Sequence, residues 1–359
     1  MIFTAKPLNQ KMYTELMRAG RSFRNWKYFL NLIPVILVIF GNLSGGWYTL
    51  LNFSFSFIAL GIAEVLLPED HRNDDWADDT LPDILMGLSV SGQILAISSL
   101  IYGISAGIIH DHWVISAALS TGGSSGTLAI VVAHELIHRK HKVWNFAGRF
   151  LLFSVFNPYF YIHHLRIHHK YVGTDQDPVT AKFGENYYHF VLRSIGGQFK
   201  QSMQIEKQRC VFKKQAPYGF NNYMVSCISG YLGLLIICGS FLGWEVSAAV
   251  LLQAIFANLL LEYTNYIEHY GLSRMDNERV NEKHSWQSDK LISRFLLIDL
   301  SRHSDHHFHA AKPFNQLLSY PESPVLPGGY ASMLLPALIP PLWFKLVNKR
   351  IPEGFQQKP

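Results

Sequence analysis

Six apolar stretches set the terms on which this chain can fold: Tyr28 to Leu43, Trp47 to Leu67, Leu81 to Gly107, Trp113 to Ala133, Tyr223 to Leu242 and Trp244 to Leu261. Each is close to the roughly 20 residues that an α-helix needs to cross the hydrocarbon of a bilayer. Inside lipid no water reaches backbone N–H and C=O groups, and a helix satisfies them within itself. The expected fold class is therefore all-α, a bundle of six transmembrane helices. The 359 residues are 49% hydrophobic and only 16% charged, with a mean hydropathy of +0.10, as suits a polytopic membrane protein better than two soluble domains.

Charge orients the bundle. Lys6, Lys11, Arg18, Arg21, Arg24 and Lys27 stand against one acid, Glu15, before the first apolar run, which places the amino terminus in the cytoplasm. A cleaved signal peptide fits poorly, because a second apolar run follows directly after Ser44-Gly45-Gly46. Pairing the runs as hairpins returns the acidic stretch Pro68 to Asp79 to the same side, as a solvated loop, and leaves the carboxyl terminus there too. Gly122, Gly123 and Gly126 in the fourth run mark close helix contact. Cys210, Cys227 and Cys238 form no Cys-x-x-Cys motif; on one helix the last two would stand about 16 Å apart at ~1.5 Å per residue, too far to bridge.

Histidine carries the chemistry. His134 and His138 lie at the inner end of the fourth run, the stretch His163-His164-Leu165-Arg166-Ile167-His168-His169 follows, His269 comes after the sixth run, and His303, His306 and His307 come last. The topology brings all four clusters to one side of the bilayer. On an α-helix His164 and His168 share a face with His169 beside them, so that three nitrogens converge. Nine imidazoles exceed what one metal uses, whereas two metals with four or five nitrogens each would use them all. Ligand type does not name the metal, since imidazole suits zinc, copper, iron and nickel. Glu135, Glu268 and Asp305 each adjoin a candidate ligand, and either accept its second ring N–H or are plain solvated acids. A zinc peptidase with Glu135 of His-Glu-x-x-His as general base is an open alternative, but a catalytic zinc takes about three protein ligands and one water. A metal transporter or sensor would need ionisable groups within the spans, and few are there.

The strings HELIHRK, HHLRIHHKYVGTDQDP, NYIEHYGL, KHSWQSD and LSRHSDHH resemble, in order and surroundings, the histidine boxes of the membrane-bound alkane 1-monooxygenases, from about Trp26 to Phe344. Three boxes alone would be shared with fatty-acid desaturases and hydroxylases; NYIEHYGL and RHSDHH are more specific. The resemblance implies a bacterial inner-membrane enzyme whose six helices carry a cytosolic, all-histidine di-iron cap. It also implies electrons from rubredoxin and its reductase, and a hydrocarbon substrate drawn from membrane lipid and hydroxylated at a terminal methyl. Position by position, the ligands it implies are His134, His138, His164, His168, His169, His269, His303, His306 and His307. The expected organisation is a basic segment 1–27, one membrane catalytic domain 28–350 with its cap from 134–222 and 269–329, and a short tail 351–359. No nucleic acid is expected as a partner.

The chain departs from the pattern at His163, where the family has glutamate, and at Ile167, where it has glycine. His163 is thus either an additional hydrogen-bonding group or an alternative ligand, and a benzylic methyl or a fatty-acyl chain stays open as substrate. His141, His284 and His309 are read as supporting or surface residues. Outside the spans, Phe146 to Tyr161 reads as a buried or re-entrant segment, and Gly184 to Arg209 as an interfacial helix offering Tyr187, Tyr188, Phe190 and Phe199 to headgroups. Lys200, Lys207, Arg209, Lys213 and Lys214 suit anionic lipid first and an acidic electron donor second. Tyr330 to Val347, broken by Pro336, Pro340 and Pro341, is expected to lie along the interface.

Overall fold

The structure, a computed structural model, describes residues 25–73, 80–353 and 355. The basic cluster Lys6 to Arg24, the acids Asp74 to Asp79 and most of the tail lie outside the described residues. Among the described residues six helices are long and apolar enough to cross a membrane: α1 (Trp26–Ser44), α2 (Gly46–Leu66), α3 (Leu81–Ser105), α4 (Trp113–His138), α8 (Tyr223–Leu242) and α9 (Trp244–His269). Between them come α5 (Lys142–Ser154), α6 (158–171) and α7 (Tyr187–Phe212), followed after α9 by the short α10 (Leu291–Leu296), α11 (His303–Phe308), α12 (Leu334–Leu338) and α13 (Pro340–Val347). Among the described residues β-structure is limited to two isolated bridges, Glu69 with Lys290 and Gln287 with Val325.

The bundle closes through small residues and polar cross-links. A side-chain carbon on Gly122 would stand 2.5 Å from the Gln253 carbonyl oxygen, and one on Gly126 2.8 Å from Leu260, so the glycines let α4 lie against α9. Ser125 hydrogen-bonds Gln253 at 3.1 Å and Gln93 at 3.0 Å, and Asn42 donates to Thr121 at 3.2 Å. Such bonds are favoured where lipid offers no other partner.

α4 and α9 run further than the apolar pattern indicates, to His138 and His269 rather than Ala133 and Leu261. Protein, not lipid, surrounds their last turns: Glu262, Glu268 and His269 are buried, and a polar residue there need only find a protein partner. The same cause corrects one other expectation. On α7, Tyr187 and Phe190 are buried in the core, leaving Tyr188 and Phe199 exposed. The 330–347 segment turns one face inward, with Tyr330, Ala337, Trp343 and Val347 buried and Trp343 packed on Tyr266 with ring centroids 5.0 Å apart, while Leu335 and Ile339 stay exposed.

An ionic clasp fixes the loop before α11. Buried Arg294 donates from Nε to Asp299 at 2.7 Å and from its NH1 nitrogen to the Asp70 carbonyl at 2.6 Å; Tyr28 also donates to Asp299. Asp70 therefore belongs to the interior, not to a solvated loop, its pKa held at about 2, chiefly by the hydrogen bond from Arg72. The clasp holds Ile298 and Asp299 at φ 46° and 55°, a left-handed region costly for a β-branched residue. Arg294→Ala leaves Asp299 charged and buried without its partner, and we expect a loss of about 3–5 kcal/mol, read by denaturant titration in micelles.

Candidate metal centre

Nine imidazoles gather from four parts of the chain into two adjoining groups. His134, His138, His164, His169 and His306 form one; His168, His269, His303 and His307 form the other; within each the ligand atoms lie within 4.8 Å of one another. The groups abut, with the ring of His169 4.7 Å from that of His307 and His164 5.2 Å from His168, centroid to centroid. All are buried except His138 and His169, which are half-buried.

A local change of helix type makes this division. Residues His164–His168 form a π-helical turn within α6. Residues five apart lie about 140° apart around an α-helix, whereas the wider i→i+5 turn brings them onto one side. His164 and His169 accordingly meet with their Nε2 atoms 2.9 Å apart, and His168 turns to the second group. The expected three-nitrogen convergence of His164, His168 and His169 is thus replaced by a two-and-one split.

The arrangement fits metal ions. His138 Nε2 lies 3.0 Å from that of His164 and 3.2 Å from that of His169, while His306 and His169 are 3.2 Å apart and His303 and His307 2.9 Å, all between Nε2 atoms. Nitrogens crowded into such triangles cannot all donate to one another, whereas lone pairs aimed at a shared point can ligate a cation. His134 Nε2 and His269 Nε2 are buried without any hydrogen-bond partner, a costly state that ligation relieves. Burial, reinforced by neighbouring imidazoles, holds His164, His169, His303, His306 and His307 well below the ordinary imidazole range. They are neutral, the form that binds metal.

Of the three acids beside the boxes, Glu268 alone lies against a candidate ligand ring. Glu135 accepts from Arg139 Nε and from the Phe314 N–H, each at 3.1 Å. Asp305 gathers His309, Lys312, the Leu318 N–H and Tyr320, organising the loop beyond α11. Glu268 accepts from Tyr330 at 2.8 Å and lies 3.2 Å from His303 Nε2, on the ligating side of that ring. The carboxylate that orients a ring is instead Asp177, 2.9 Å from His168 Nδ1. It sits in the TDQDP turn, which marks a turn but carries no sign that its second aspartate points inward. Ser285, in KHSWQSD, approaches His269 Nδ1 at 3.4 Å, and Trp286 donates to the Tyr270 carbonyl at 2.8 Å, so that string braces the end of α9.

His163 joins neither group. Its Nε2 lies 2.9 Å from Gln201 and 4.0 Å from Asp177, and burial lowers its pKa to about 4. His141, His284 and His309 also stay outside. An apolar cavity is lined by Phe57, Ile130, Leu260, Leu296 and Leu334 and ends on His134, His164, His168 and His303, which come from both groups.

Residues 111–334 match the fatty acid desaturase family. The chain is 33% identical to alkane 1-monooxygenase 1 of Pseudomonas aeruginosa over 83% of its own length and 82% of that protein. The chain belongs to the alkane 1-monooxygenase family. It is 39% identical to alkane 1-monooxygenase 2 of Alcanivorax borkumensis over 65% of this chain and 62% of that one. It is also similar to the hydroxylase component of a xylene/toluene monooxygenase from Pseudomonas putida, 29% identical over 89% of this chain and 87% of that one. Membership agrees with the boxes read from the sequence and with the six apolar helices.

Proposed function

We propose that the protein is an integral membrane monooxygenase that hydroxylates the terminal methyl of a hydrocarbon, with the nine histidines holding two iron ions on the cytoplasmic side of a bacterial inner membrane. The observation that carries this reading is the apolar cavity ending on imidazoles of both groups. When bound, the irons would supply the activation of O2, which takes two electrons from a donor and two from the C–H bond, leaving one oxygen in the alcohol and one in water.

The chain's own residues do the rest. The five-histidine and four-histidine groups would each hold one ion, and Asp177 fixes the ring of His168 through Nδ1. Leu296, Leu297 and Leu300 keep water from the cavity floor and seat an alkyl chain with its end at the histidines. Electrons reach the site at its least buried edge. His138 lines an open groove in which Arg139 is paired with Asp83 and Glu135 and Lys312 with Asp305, leaving Lys140 as the cation there without an acid partner among the described residues. This groove is where a donor such as rubredoxin would come nearest the histidines. Lys200, Lys207, Lys213 and Lys214 are left for anionic lipid.

Peptidase chemistry is disfavoured by Glu135, whose carboxylate is held by Arg139 and Phe314 rather than freed as a base. The xylene/toluene relative favours one second reading, a benzylic methyl as target, though the alkane enzymes are closer in identity. Purified protein in nanodiscs, given rubredoxin, its reductase and a mixture of alkanes, alkylbenzenes and fatty acids under 18O2, is expected to form labelled 1-alkanols. Labelled benzylic alcohols alone would shift the assignment to the second reading; no labelled alcohol would refute both.

A further inference from the structure

One side chain in the wall of the histidine cavity is at odds with its surroundings. Asn265 is 6% exposed and lines the cavity among Phe160, Leu260 and Leu261, yet its Nδ2 has no hydrogen-bond partner. Apart from His134 and His303, it is the only member of that lining, among the described residues, with a buried polar atom left unpaired. An amide buried in this way is destabilising until something pairs with it. We propose that Asn265 is a hydroxyl-binding residue, and that its ligand is a primary alcohol whose chain lies in the apolar cavity. Such an alcohol is the product of the hydroxylation proposed above, so the identity of the ligand rests on that reading.

The helix sets where the hydroxyl would lie. Asn265 and His269 are four apart on α9 and share a face, about 6 Å from each other along the axis at ~1.5 Å per residue. The amide therefore stands at the end of the cavity that the histidines close. Behind it, Glu262 is fully buried; its Oε1 accepts from Gln198 Nε2 at 2.7 Å, and Gln198 also donates to Ser194 at 3.0 Å. Glu262 Oε2 is unpaired. Residues three apart on a helix are neighbours, so a small swing of Asn265 joins its Nδ2 to that oxygen and turns the amide carbonyl to the cavity, where an alcohol donates its O–H. Swung the other way, Nδ2 donates to the alcohol oxygen. A hydroxyl fits either arrangement and an alkane fits neither. The oxygen newly placed on the chain end is thus held beside the histidines, and the alcohol competes there with the next hydrocarbon.

The test compares two ligands that differ by one oxygen. Full-length protein in nanodiscs, kept without an electron donor so that nothing turns over, is photolabelled with a diazirine-bearing decane while 1-decanol or decane is titrated as competitor. Asn265→Leu is expected to weaken 1-decanol about fivefold and to change decane less than about twofold, as the loss of one hydrogen bond implies. Partition into lipid is the same for both proteins and cancels in the comparison. Water is the other source of the same hydrogen bonds. If water alone occupies the site, the two competitors shift together in Asn265→Leu, and their unchanged ratio overturns the proposal. Thr127→Val removes a hydroxyl of the same lining that is already bonded to the Gly123 carbonyl at 3.1 Å, and it should leave the ratio as it was; an equal shift there overturns the assignment to Asn265. Should Asn265→Leu fail to fold, as gel filtration would show, the ratio in Asn265→Ala decides in its place. Turnover is not read, so a wild-type protein that hydroxylates nothing would remove the activity reading while the ratio still decides the subsite.

Discussion

His303→Ala is expected to abolish hydroxylation and to release most of the iron from its group. His303 is one of four imidazoles in the second group, so its loss leaves three. His169→Ala is expected to be as inactive but to keep more metal, because four imidazoles remain in the first group. A bound metal supplies several kcal/mol of transition-state stabilisation. At ~1.36 kcal/mol per factor of ten, the activity loss should be about a thousandfold or more. The asymmetry in retained iron, read by metal analysis after gel filtration, separates two distinct groups from one diffuse cluster. Equal iron loss in both variants would argue against the five-and-four division.

Asp177→Asn is the second large effect. The carboxylate is buried and bonded to His168 Nδ1 at 2.9 Å, to the Val179 N–H at 3.1 Å and to the Thr180 hydroxyl at 2.9 Å. An amide keeps an acceptor for the turn but removes the charge that fixes the imidazole, so the fold should survive and the metal should suffer. Loss of such a supporting carboxylate lowers metal affinity or activity by about 10–100-fold. Competition with a chelator measures this directly, and wild-type affinity in the variant would remove Asp177 from the account.

Much of this architecture was legible before any coordinates. Runs such as Tyr223 to Leu242 and Trp244 onward announce helices because lipid leaves the backbone no alternative, and the boxes announce a metal site because nine imidazoles have few other uses. Geometry within the boxes was not legible. Spacing alone pairs His164 with His168, since α-helical periodicity is the default, and the π turn that pairs His164 with His169 leaves no mark in that spacing. Asp177 escaped for a related reason: a turn sequence does not reveal which of its acids faces inward. Adjacency suggests Glu135 and Asp305 as partners of the candidate ligands, yet a neighbour in sequence on a helix points to a different side, and Asp305 bonds His309 instead. Tyr330 and Trp343 turn inward on a segment whose prolines break the helical pattern, so periodicity does not reveal which of its faces packs against α9. Ile298 at positive φ could not be anticipated at all, because the strain is sustained by Arg294, Asp299 and Tyr28 acting together.

The central claim is that two neighbouring groups of histidines each hold one iron. Protein purified without added metal, loaded with 57Fe(II) under nitrogen and freed of excess, tests it by combined iron analysis and Mössbauer spectroscopy. The account predicts about two irons per chain, from the ligand count, in two distinguishable nitrogen-rich environments. One iron per chain, or a single tightly held zinc that excludes iron, would contradict it.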